Sequence, residues 1–155
     1  LAGAVFFNDG TTNRIAASQR DTGGEIDVYH GDTGGTTLTN TTTLDAVTGT
    51  SPQTTSTDLI YKNFGSGNRL GLIWSEANVV KYRITNQASP AFTWATEVAL
   101  LSGLTDTDVC PQWVTGFGGI GALYQDNGSV KVEWVVSPSF GGGGGFAFSQ
   151  AVIIA

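Results

Sequence analysis

The chain has no methionine, one histidine, one cysteine and four prolines in its 155 residues. A single cysteine excludes an intrachain disulfide and any cysteine-built zinc cage. Cys110 itself is expected as a small buried apolar residue, the usual fate of a free thiol. Basic residues are equally scarce: seven Lys and Arg stand against 13 Asp and Glu, a formal charge of −6. They are spread singly, whereas phosphate backbones are held by clustered cations, so nucleic acid is not an expected partner. Apolar runs long enough to cross a membrane as a helix, about 18 residues, are missing too. No charged-then-apolar leader opens the chain, and membrane insertion is not expected. His30 has no second His and no nearby Cys, which leaves no metal site. It also lacks the strand-turn-helix elbow that a Ser-His-Asp reading needs. Asp106-Thr107-Asp108 falls short of the multi-oxygen loop calcium prefers. No motif asks for a cofactor. The five glycines Gly141 to Gly145 lead into a strand at Phe146 rather than a helix, which makes them a flexible connector and not a phosphate cradle.

What the chain does have is 22 glycines, many threonines, scattered aromatics and only 13% charged residues. With no stretch of helical apolar spacing, this composition predicts an all-β protein with one core-bearing domain. One hairpin pattern recurs three times. Asn68 to Trp74 passes through Ser75-Glu76-Ala77-Asn78 into Val79 to Ile84. Asn13 to Gln19 passes through Asp21-Thr22-Gly23-Gly24 into Glu25 to His30. Ile120 to Tyr124 passes through Asp126-Asn127-Gly128 into Val130 to Val135. The turns carry the Asp, Asn and Gly that tight hairpins need for positive φ.

Ile15, Leu70 and Ile120 serve as equivalent anchors, 55 and 50 residues apart. Before each lies another short strand: Ala4 to Phe7, Thr57 to Tyr61, and Thr107 to Pro111. Asp58 and Asp108 then coincide, and a local backbone-capping role is expected for both. Downstream, Phe92 to Leu100 repeats as Phe146 to Ile154, matching at alternate positions as a half-buried strand must. In the first unit Leu38, Thr42 and Leu44 keep only the spacing, within a Thr-rich stretch from Gly34 to Thr57.

Three four-stranded antiparallel units in tandem predict a β-propeller, with blades at residues 3–57, 58–107 and 108–155. A β-sandwich or jelly roll is the rival, but it gives no reason for the threefold repeat. Ala16, Gly71 and Gly121 are expected on an inner strand near the axis. Tyr29, Tyr82 and Trp134 are expected at one shared position, wedged between blades. Three blades do not close a ring, since known propellers run from about four to eight. A second copy making a six-bladed dimer, or further chain of a longer polypeptide, is therefore the expected partner. The sequence opens on Leu1 rather than Met, the expectation for a processed or excised piece. Its composition suggests a secreted protein or one on a virion surface.

Leu70-Gly71-Leu72-Ile73-Trp74, the hairpin into Val80-Lys81-Tyr82-Arg83, and the aromatic segment Phe92-Thr93-Trp94 together resemble the sialidase-like (BNR-repeat) propellers. The family's Asp-box, Ser-x-Asp-x-Gly-x-x-Trp, survives in Ser89-Pro90-Ala91-Phe92-Thr93-Trp94 only as the Ser and the Thr-Trp end. The resemblance implies a six-bladed fold and, in its catalytic members, three arginines on a carboxylate with a Tyr–Glu nucleophile and an acidic Asp.

This chain holds four arginines, Arg14, Arg20, Arg69 and Arg83. Arg14 and Arg69 are repeat-equivalent, so a dimeric ring would carry four guanidinium groups round one mouth, an anion or sugar-acid site. Glycosidase chemistry needs two opposed carboxylates roughly 5–9.5 Å apart. Of Asp9, Asp21, Glu76, Asp108 and Asp126, the turn residues Asp21 and Asp126 read most simply as turn formers, and no convincing acid–nucleophile pair emerges. No catalytic residue is assigned. Among aromatics that could stack on sugar, Trp74 and Tyr124 coincide in the repeat and read as core. Trp113 has Asn63 at the matching place and is the binding candidate, beside Arg14 and Arg69. The expected function is a non-catalytic propeller module for binding or assembly, with carbohydrate as the ligand class. The alternatives are half of a sialidase-like glycoside hydrolase and an architectural fibre or tail subunit.

Overall fold

The computed structural model describes residues 2–20, 26–32, 42–44, 57–76, 78–86, 92–106 and 109–139. These form eleven strands and no helix: β1 (Ala2–Asn8), β2 (Asn13–Arg20), β3 (Ile26–Asp32), β4 (Thr42–Leu44), β5 (Thr57–Asn63), β6 (Asn68–Glu76), β7 (Val79–Ile84), β8 (Val98–Leu101), β9 (Gln112–Gly116), β10 (Gly119–Asp126) and β11 (Ser129–Val136). They make three antiparallel sheets, ordered β1-β2-β3-β4, β5-β6-β7-β8 and β9-β10-β11. Each is a meander of neighbours in sequence, the outcome that short polar turns between apolar runs favour. The last repeat segment, Phe146 to Ile154, lies outside the described residues.

Alternation along β6 explains how the sheets stack. Successive side chains point to opposite faces. Leu70, Leu72 and Trp74 join Ala16, Ile26, Val28 and Leu59 in one buried cluster, against the first sheet. Ile73 points the other way and, with Val80, meets Ala122 and Tyr124 of the third. Trp74 and Ile73 are 1% and 0% exposed, so the middle sheet is covered on both faces. A sheet buried on both sides reads as a continuous apolar run rather than an alternation, and Leu70 to Trp74 is that run. Each fully buried Leu or Ile contributes about 1.5–3 kcal/mol by leaving water. The packing is three sheets in sequence order, not the two layers of a sandwich.

Equivalent residues face equivalent ways. Leu70 and Ile120 both face the preceding sheet, and Ile15, on the side of β2 opposite the buried Ala16 and Ser18, faces away from the stack. The backbones of neighbouring sheets come closest through first strands, β5 against β1 and β2 and β9 against β5 and β6. Thr57 Oγ1 and Ser18 Oγ, 2.7 Å apart, join the first two sheets. Asp58 Oδ2 accepts the Trp113 N–H at 2.8 Å and Ser75 Oγ donates to the Val109 carbonyl, joining the second and third.

Several sequence expectations are corrected. The first strand of the third unit begins at Gln112, not Thr107. Trp113 pairs opposite Ala122 just as Leu59 pairs opposite Leu72, so Trp113 matches Leu59 rather than Asn63. The four-residue shift arises because the turn shortens from 64–67 to Phe117-Gly118 and each arm of the hairpin loses one residue. Ala16, Gly71 and Gly121 do lie on the second strand of each sheet, as the repeat places them. Tyr29, Tyr82 and Trp134 do not share a place. Tyr29 pairs opposite Ala17, Tyr82 opposite Ile73, and Trp134 opposite Gly121, which puts Tyr29 on the other face. Cys110 is exposed: Val109 and Pro111 turn inward, and the residue between them must turn out.

Candidate functional site: the hairpin ends and the outer sheet faces

Arg14 and Arg69 occupy the same end of their sheets, each just after a four-residue turn, yet their surroundings differ. The Asp9 carboxylate closes the first turn by accepting N–H bonds from Thr11 at 3.0 Å and Thr12 at 2.8 Å. It also pairs with Arg14 Nε, while a guanidinium nitrogen of Arg14 reaches Asp32 on β3. Two carboxylates thus neutralise Arg14, whose side chain is 14% exposed, and the residue clamps the ends of β1, β2 and β3. Arg69 instead donates to the carbonyls of Ser66 and Asn68, both at 2.9 Å. Among the described residues no carboxylate pairs with it, so of the two expected cation sites Arg69 carries the uncompensated charge. In the third sheet Gly119 stands in the equivalent place.

Beside Arg69 a cleft of about 370 Å³ separates the β5–β6 end from the β9–β10 end, lined by Lys62, Asn63, Thr115, Gly116, Gly118 and Gly119. Lys62 is exposed, and the buried Ile120 also lines the cleft. At the tip of the β9–β10 hairpin Phe117 adopts φ 52° with Gly118 at φ 77°. Positive φ at both central residues is the hairpin turn whose twist matches the strands. Asn or Gly normally fills it, and a bulky residue there is an outlier. The Phe117 ring is 74% exposed. The segment Gly116-Phe117-Gly118-Gly119 was the available sequence signal, and the repeat alignment passed over it.

Trp113 lies apart from these groups, in the second core. Its ring meets Phe64 edge-on at 5.7 Å and Tyr82 at 6.1 Å. Trp74 and Tyr124 are buried at matching places, as their coincidence in the repeat implied.

The carboxylates considered for catalysis are tied into the scaffold. Glu76 pairs with Lys81 at 2.9 Å, and Lys81 also meets Glu97 at 2.9 Å. Asp126 pairs with Lys131 at 2.9 Å, the equivalent pair one unit on. Asp126 does more than form its turn: its Oδ1 accepts N–H bonds from Thr105 at 2.7 Å and Asp106 at 3.1 Å, anchoring the preceding loop. Asp58 caps Leu59 N–H at 2.9 Å as well as holding Trp113. Asp21 and Asp108 lie outside the described residues. His30 is buried with its ring edge-on to Phe92 at 4.9 Å. Burial, then the Arg14 charge, push its pKa down and favour the neutral imidazole.

The Lys131 ammonium and the Asp106 and Thr105 N–H groups hold Asp126 below its ordinary value of 3.8. A lowered carboxylate adds stability that is present above the unfolded pKa and lost as pH falls through the folded one. Asp126→Asn is therefore expected to be less stable than wild type at pH 7, with the gap closing below about pH 4. Urea titrations at several pH values check this, and a gap independent of pH contradicts it.

Two faces complete the surface. The outer face of the third sheet carries Val114, Leu123, Val130, Val132 and Trp134, which the register places on one side of β9, β10 and β11. The outer face of the first sheet carries Ala4, Phe6, Ile15 and Ala17, with Phe6 73% exposed. Compared with protein-family models, curated proteins and solved structures, the chain matches none.

Proposed function

We propose that the chain is a three-bladed segment of a β-propeller serving as a non-catalytic binding module on a secreted or virion-surface protein, with carbohydrate as its ligand class. The observation that carries this reading is the middle sheet, covered on both faces by sheets presenting equivalent repeat positions. Convergence of the stack on β1, β5 and β9 supports it further, since blades of a ring crowd at their first strands and spread at their last. The ligand would meet the hairpin ends, where Phe117 offers an exposed aromatic face and Arg69 and Lys62 offer charge beside a cleft. Such a face can stack on the apolar side of a sugar ring, with its large apolar area leaving water. With Arg14 held by Asp9 and Asp32, the four-arginine mouth of a sialidase-like hydrolase loses half its cations, which disfavours that reading.

A glycan array probed with the assembled protein tests the proposal. Binding to a defined sugar class, weakened about tenfold by Phe117→Ala or Arg69→Ala, about 1.4 kcal/mol, is the expected result. No bound sugar would leave the architectural role, and turnover of a fluorogenic sialoside would establish the hydrolase instead.

A further inference from the structure

We infer that a second copy of this chain seats the outer face of its first sheet on the outer face of the third sheet, twice over, closing a six-sheet ring. This rests on the three-blade reading above. At both interfaces inside the chain, the forward face of one sheet receives the backward face of the next. Forward positions are Ile73 and Val80 in the second sheet, matched by Leu123 and Val130 in the third. Backward positions are Leu70 and Leu72 in the second, matched by Ile15 and Ala17 in the first. The described strands put no sheet on the Leu123–Val130 side or on the Ile15–Ala17 side.

Among the described residues, one end of the stack is thus a socket with no sheet on it and the other a plug of the same design. The repeat positions that make the two interior interfaces recur on these two faces. Phe6, 73% exposed at the end of the stack, finds cover there, and Gln19, exposed on the same face, falls at a polar rim. A head-to-tail contact generates a closed ring when its rotation completes the circle and a filament when it does not. Two triplets supply the six sheets that lie within the propeller range.

Light scattering on the full chain, with two face variants, tests this. Wild type is expected at twice 16.1 kDa. Val132→Lys on the socket and Ala17→Glu on the plug are each expected to be folded monomers by circular dichroism. Mixed together they are expected to regain the dimer, because one of the two interfaces then pairs Lys with Glu and the other is native. Failure of the mixture to associate, dimers persisting in either single variant, or open polymers would overturn the head-to-tail ring. A separate cross-link keeps the underlying reading distinct. In a Cys110→Ser background, Ser18→Cys with Thr57→Cys bridges the first two sheets if they stack. A cross-linked monomer overturns the second copy alone, whereas no cross-link removes the stack and the inference together.

Discussion

Trp74→Ala is expected to lower the unfolding free energy by about 3–5 kcal/mol, the usual cost of emptying a buried aromatic site. Trp74 is 1% exposed and belongs to the cluster that holds the first sheet against the second. Its neighbours there, Leu72, Leu59 and Val28, sit on strands whose backbone bonds resist collapse into the space. A cavity therefore remains, and its walls lose their contacts outright. Such a loss is a large part of a typical total stability of about 5–15 kcal/mol, so the variant is also expected to express poorly. Phe117→Ala removes a ring as well, but one 74% exposed at a hairpin tip, and is expected to stay within about 0.5 kcal/mol. Chemical denaturation of the pair separates burial from ring loss. Equal costs would show that Trp74 is not between two sheets.

Gly71→Val is expected to cost about 1–3 kcal/mol through the opposite fault, overpacking. The glycine lies on the β6 face turned toward the third sheet. A Cβ there would stand 2.8 Å from the Phe64 ring, 3.1 Å from Ile60 and 3.2 Å from Trp113. Three packed side chains would have to give way together, and Trp113 is itself fixed through its backbone by Asp58. Gly116→Val is the control. A Cβ there meets nothing within 4 Å, and a β-branched residue suits a strand, so no loss beyond about 0.5 kcal/mol is expected. If Gly71→Val denatures at the same midpoint as wild type, the second and third sheets do not pack as described.

The hairpins were legible because periodicity and turn chemistry are local. Leu70 to Trp74 reads as a strand from its composition, and Asn127-Gly128 reads as a tight turn, with φ of 50° and 73°. Which face a residue takes was harder to read. A one-residue change in pairing turns every side chain over, and five residues separate β2 from β3 against two between β6 and β7 and two between β10 and β11. Tyr29 therefore faces opposite to Tyr82 although both sit in a third strand. Counting by a fixed offset also failed across the 64–67 turn, and so misplaced Trp113 beside Asn63. Charge partners were least legible of all. Arg14 and Arg69 look alike in the repeat, but Asp32, which decides the difference, lies 18 residues from Arg14 and has no marker in the first hairpin. Phe117 escaped notice because an exposed aromatic with positive φ leaves no periodic trace.

A crystal structure of the assembled protein measures the central claim most directly, through the rotation relating successive sheets. The account predicts one common axis past β1, β5 and β9, with the same turn of about 60° from first sheet to second and from second to third, as six blades require. Unequal rotations, or sheets lying parallel without a shared axis, would contradict it.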